Sequence, residues 1–214
     1  GIGLFFTPRN EKDYKRLTSS FYQVISLLKN KTICLLFGGI ICIVGLDVGM
    51  NVFTPKRWIE NAELTKEIAS YGTSWYFAAR TLGTLCGVIL LAKFSEIYYY
   101  RINMFIVLIA LSCIYWIHSQ YIILLLVCII AFAMSSIFAV IYSLALHTLP
   151  YKTNEISGLM ITGISGGSII PPLMGVCADY TESQSGSILV MLICVIYLIL
   201  CSFHKFKTIH TKPH

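Results

Sequence analysis

Charge is what this sequence has least of. Only 12% of its 214 residues are Asp, Glu, Lys or Arg, against roughly 25% in an average soluble domain. Acids are scarcer than bases, ten against sixteen. A water-soluble globule of this size would lack the polar side chains to cover its surface. That excludes a soluble enzyme, a disordered protein and an ordinary nucleic-acid-binding domain. Soluble-enzyme signatures are also missing: there is no G-x-x-x-x-G-K-[ST] loop, no H-E-x-x-H and no dinucleotide-binding fingerprint after a strand. The eight cysteines (34, 42, 86, 113, 128, 177, 194 and 201) contain no C-x-x-C pair and no histidine cluster accompanies them. They read as small hydrophobes in apolar runs, so neither a metal nor a cofactor is expected.

What the sequence has is apolar length. Hydrophobic residues make up 57% of the chain and its mean hydropathy is +0.76. Between Arg101 and Lys152 lie fifty residues without a formal charge, too many for one membrane span and broken by the polar hairpin His118-Ser119-Gln120. Six spans are predicted, at about 32–54, 70–94, 102–118, 121–147, 156–178 and 185–203, each near the roughly 20 residues a bilayer core requires. Backbone amides in lipid must find internal partners, so these runs are expected to be helices. The fold class is an all-α membrane protein.

The net charge of +6 is an orientation signal rather than a nucleic-acid footprint. With residues 7–31 placed in the cytoplasm, twelve of the sixteen Lys and Arg fall on that side. Three (Lys56, Arg57 and Lys66) fall outside, and Arg80 lies within a span. This is a strong positive-inside bias, with the linker and the tail 204–214 cytoplasmic. The chain opens on the apolar stub 1–6, followed at once by Thr-Pro-Arg. The stub reads as the end of an earlier transmembrane helix, residues 7–31 as a cytoplasmic linker and 32–203 as a six-helix domain; further spans are expected upstream.

Charges inside spans are rare and costly, which makes them the best pointers to function. Asp47 lies seven residues before Thr54, about 10 Å from the outer end of the first span at 1.5 Å per residue. Arg80 lies ten residues into the second span, about 15 Å from the same surface. Depths that differ by about 5 Å are within reach of the two side chains. Such a pair fixes helix register, or binds a polar substrate or senses protonation in a water-filled cavity. Asn51 shares the helix face of Asp47, and the two offer donors and acceptors suited to sugar hydroxyls. The fourth span adds Ser135, Ser136, Tyr142 and Ser143. The second adds Trp75 and Tyr76, either as platforms or as interface anchors.

Small residues point to close packing. Gly45-x-x-x-Gly49, Gly83-x-x-x-Gly87 and Gly163-x-x-x-Gly167 set glycines on single helix faces. In the fifth span Gly163, Gly166 and Gly167 precede Pro171-Pro172, so a kinked or unwound helix is expected, a hinge or a tight packing site. Gly163-Ile164-Ser165-Gly166 also matches the G-x-S-G of rhomboid proteases. That chemistry needs a histidine facing the serine, and the downstream histidines are His204, His210 and His214, at or beyond the end of the last span.

At these residues a family resemblance appears. Gly158-LMITGISGGSIIPPLMGVCADYT-Glu182 resembles the eleventh helix of sugar–proton symporters of the fucose permease type, in the major facilitator superfamily. Gly45-LDVGMNVFTP-Lys56 is similar to their seventh helix, Tyr71-GTSWYFAARTLGTLCGVILLAKF-Ser95 to the eighth and Tyr142-SLA-Leu146 to the tenth. The most specific piece is GGxxxPPLMGxxAD, from Gly166 to Asp179. The resemblance implies the C-terminal six-helix half of a twelve-helix transporter in a bacterial cytoplasmic membrane. It implies a monosaccharide and a proton as cargo, and an N-terminal six-helix half and the lipid bilayer as partners. Asp47, Asn51, Ser136 and Tyr142 would lie near substrate, and Arg80 matches the family's in-helix basic position; with Tyr76, a candidate from its own place in the second span, these are the expected substrate-binding residues. Where the family often has Asn and Pro in its tenth helix, this chain has Ser136 and Ala139, which implies a straighter helix. The alternatives are another solute in the same fold (a peptide, nucleoside or drug) and a six-helix membrane enzyme or scaffold.

Overall fold

A computed structural model describes residues 24–62, 66–117 and 119–204. The stub 1–6, most of the linker 7–31 and the tail beyond His204 lie outside the described residues, as does His118 of the hairpin. After a 3-10 turn at Leu27–Lys29 come α1 (Lys31–Ala62), α2 (Lys66–Lys93), α3 (Glu96–Trp116), α4 (Gln120–Met134), α5 (Ile137–Thr148), α6 (Thr153–Gly167), α7 (Ile170–Tyr180) and α8 (Ser185–Phe203). No strand occurs among the described residues.

The helices make six stretches long and apolar enough to cross a membrane: Lys31–Lys56, Tyr71–Lys93, Glu96–Trp116, Gln120–Thr148, Pro150–Tyr180 and Ser185–Phe203. α4 with α5, and α6 with α7, each make one such stretch. The third begins six residues earlier than the sequence predicts. Ser95 caps α3, its Oγ accepting from the Tyr98 amide at 3.3 Å, and Glu96 sits in the first turn. Both features satisfy or complement the exposed N–H groups of a helix start.

α1 is the hub, packing against α2, α5, α6, α7 and α8. Its buried face runs Ile33, Leu36, Ile40, Ile43, Leu46, Met50 and Phe53, a spacing of three and four that keeps one side of the helix inward. The outward faces are apolar too: Leu85, Val88, Ile193 and Leu200 are all exposed. In water such a surface would drive aggregation; in a bilayer it is solvated.

Two spans are interrupted, and the sequence anticipates only one of the breaks. The fifth breaks at Ser168–Ile169, between α6 and α7, just before the proline pair. Pro171 and Pro172 thus occupy the first turn of α7, where their missing N–H groups would be unpaired in any case. The fourth span breaks at Ser135–Ser136, which corrects the expectation of a straighter helix. Proline is not the cause. The Ser135 hydroxyl and amide both turn back to the Phe132 carbonyl, at 2.8 and 3.4 Å. This i→i−3 bonding diverts that carbonyl from the α-helical ladder.

Glycines set the closest helix contacts. A Cβ on Gly167 would stand 2.7 Å from Val44 Cγ1 and 3.0 Å from the Gly45 nitrogen, so α6 crosses α1 nearly backbone to backbone. Gly163 and Gly166 face Ile40 and Ile41 in the same seam. On α2, a Cβ at Gly83 would meet the Phe132 carbonyl at 2.6 Å, which seats α2 directly on the Ser135–Ser136 break.

Candidate functional site

Asp47 on α1 meets two side chains from α2. Tyr76 and Arg80 are four residues apart and therefore share a helix face. The Tyr76 hydroxyl donates to Asp47 Oδ1 at 2.6 Å, and Arg80 Nη1 is paired with Asp47 Oδ2. Tyr76 is fully buried, whereas the Asp47 and Arg80 side chains keep 21% and 36% exposure. The ion pair is thus held on one side by packing and open on the other. It borders a cavity of about 40 Å³ lined by Ile43, Val44, Asp47, Arg80, Met134 and Phe138. That is room for about two or three water molecules, not for a sugar ring within this half alone.

The other candidates are placed differently. Asn51 donates its amide to the Asp47 carbonyl, at 2.8 Å, while its Oδ1 is buried without a partner among the described residues. Ser136 is 5% exposed and packs on α2, where a Cβ on Gly87 would press on it; it does not line the Asp47 cavity. Tyr142 stacks on Phe138, ring centroids 6.1 Å apart and 22° between planes. It therefore reaches the cavity only through that ring. Phe138 is the residue that sequence reasoning misses. The signal was its position one turn before Tyr142, on the same face.

Trp75 and Tyr76, adjacent in sequence, part company. Tyr76 turns in to Asp47, while Trp75 lines an apolar groove between α2 and α3. Successive helical residues point about 100° apart, so a pair read together had to split. Ser143 donates to Glu96 Oε1 at 3.0 Å, tying α5 to the start of α3. Among the described residues, no hydrogen bond joins the side chain of the rhomboid-like Ser165 to a histidine. His204, the described histidine downstream of it, stands 3.2 Å from Thr32 at the start of α1. No group of three His, Cys, Asp or Glu that could hold a metal occurs among the described residues.

This architecture matches solved transporters. The crystal structure of FucP, a major facilitator superfamily transporter, in an outward conformation superimposes with a TM-score of 0.76 at 19% identity. The match covers 84% of this chain and 44% of that one. The fold is that of one half of a major facilitator superfamily transporter. A variant of the E. coli fucose:proton symporter FucP gives a TM-score of 0.73 at 20% identity, over 93% of this chain and 49% of that one. Among curated proteins, putative glucose/galactose transporters from two strains of Helicobacter pylori are each 27% identical over 175 residues, 79% of this chain. The chain spans less than half the length of these relatives, 42%. No family model matches it.

The resemblance read from the residues is thus borne out, and the structure gives its most specific stretch a form. Gly166 to Asp179 makes the break between α6 and α7 and nearly all of α7. The glycines at its start supply the close crossing with α1, the helix that carries Asp47.

Proposed function

We propose that this chain is the C-terminal half of a proton-coupled monosaccharide transporter of the glucose, galactose or fucose class. It works by alternating access with an N-terminal six-helix half. The membrane is a bacterial cytoplasmic membrane, with the linker and C-terminus on the cytoplasmic side. The observation that carries the reading is the Asp47–Arg80–Tyr76 cluster, a half-open ion pair at mid-span beside a small cavity. The sugar named for the curated relatives and the sugar and proton named for a structural neighbour supply the cargo class.

The cluster has the chemistry for both cargoes. A guanidinium and a carboxylate offer fixed donors and acceptors to a diol, and the Phe138 ring offers an apolar face to a sugar's C–H groups. Protonating Asp47 would cancel the charge that holds Arg80 and leave Arg80 seeking a new acceptor. A sugar hydroxyl brought by the second half could be that acceptor, which would link occupancy to protonation.

The test is uptake of labelled glucose, galactose, fucose and a nucleoside by cells lacking their own permeases and expressing the full-length protein. Accumulation of a monosaccharide supports the reading. Accumulation of the nucleoside alone would assign the fold to another solute.

A further inference from the structure

α2 and α3 each pack against α4 but hardly touch one another. The gap between them is a groove of about 950 Å³. It begins at Trp75 and Tyr121 and ends at Phe94 and Tyr98. Phe94 follows the last residue of α2 and lies nineteen positions after Trp75, about 28 Å at 1.5 Å per residue. That length matches the roughly 30 Å hydrocarbon core of a bilayer, and aromatic rings at both ends are where membrane interfaces place them.

The walls are mostly apolar. Asn103 is the amide among them, and its Nδ2 already donates to the Tyr99 carbonyl at 2.8 Å. The Phe94 end is also the cationic end of the bundle. Lys93, exposed, immediately precedes Phe94, and Lys31, Arg101 and Lys152 lie at the same ends of α1, α3 and α6. An apolar channel of membrane height, with an exposed lysine next in sequence to its end residue Phe94, complements one kind of molecule.

We propose that this groove is a binding site for an anionic phospholipid. One acyl chain lies along Leu90, Ile102 and Ile106, and the phosphate sits against Lys93. Because α2 also carries Tyr76 and Arg80, the bound lipid would brace the helix that supplies two members of the Asp47 cluster. The lipid site itself stands on the groove and does not depend on which solute is carried.

The test uses the full-length protein in vesicles of phosphatidylethanolamine and phosphatidylglycerol, doped with phosphatidylglycerol bearing a diazirine in its acyl chain. After illumination, adducts are mapped by peptide mass spectrometry. The expected result is about ten-fold more adduct on Leu90, Ile102 and Ile106 than on the exposed α8 residues Ile193 and Leu200, the ratio that about 1.4 kcal/mol of preference gives. Ile102→Trp, at an exposed position on the groove wall, should remove the groove adducts and leave those on α8. Lys93→Gln should lower groove labelling by phosphatidylglycerol about five-fold, the weight of one lysine at an anionic surface, and leave labelling by a diazirine phosphatidylcholine unchanged. Even labelling of groove and α8 overturns the site. Absence of groove labelling overturns it too, and would mean that protein from the other half fills the gap. Equal labelling in Lys93→Gln overturns the headgroup assignment.

Discussion

Replacing Asp47 and Arg80, singly and together, separates what the ion pair does for the fold from what it does for transport. Asp47→Asn leaves Arg80 as a cation within a span, facing a neutral amide; Arg80→Gln leaves the opposite charge stranded. Breaking a fully buried pair costs about 3–5 kcal/mol, and an exposed pair contributes at most about 1 kcal/mol. With 21% and 36% exposure, this pair belongs between those limits, at about 2 kcal/mol per single substitution. The double variant strands no charge, so it should cost no more than either single and show a coupling of about 2 kcal/mol. Stability can be followed in detergent with a thiol-reactive dye that reports exposure of the buried Cys194 and Cys201. Uptake should behave differently. If the pair handles substrate and proton, all three variants lose at least about ten-fold of their transport, more than 1.4 kcal/mol of transition-state stabilisation. Recovery of full uptake in the stable double variant would refute the reasoning and reduce the pair to a register pin. Unchanged uptake in Asp47→Asn alone would do the same.

Three further outcomes follow from the geometry. Tyr76→Phe removes a hydrogen bond to a charged acceptor, so stability should fall by about 1.5–3 kcal/mol in the same dye assay, with reduced uptake. Phe138→Ala removes the ring beside Asp47 and Arg80; the KM for sugar should rise about two- to ten-fold, the equivalent of 0.5–1.5 kcal/mol of aromatic contact, while Phe138→Tyr keeps it near wild type. Gly167→Ala forces a Cβ to within 2.7 Å of Val44 and 3.0 Å of the Gly45 backbone, whereas a Cβ at Gly175 meets nothing within 4 Å. Thermal unfolding should show a loss of about 1–3 kcal/mol for the first, as overpacking costs, and little change for the second.

How much was legible in the sequence follows from which forces act locally. Lipid requires each span to satisfy its own backbone, so hydropathy and length alone revealed the six apolar stretches. Depth arithmetic also brought Asp47 and Arg80 to the same level, because helical rise is nearly constant. What remained hidden depended on neighbours. The break at Ser135–Ser136 arises from hydroxyl back-bonding to Phe132 and from the tight seat of Gly83, and neither announces itself as a proline would. The role of Phe138 depends on how α5 is rotated after that break. Tyr76 was legible as an aromatic beside the site, but only the rotation of α2 shows its hydroxyl on Asp47 while Trp75 faces the groove.

Proteoliposomes holding the purified full-length protein, with an imposed inward proton gradient, offer the most direct measurement. Uphill accumulation of glucose, galactose or fucose is expected, accompanied by alkalinisation of the outside medium and abolished by a protonophore. In Asp47→Asn both the sugar flux and the proton flux should vanish together. Sugar accumulation indifferent to the gradient, or proton-driven uptake that survives Asp47→Asn unaltered, would contradict a coupling role for the cluster on α1 and α2.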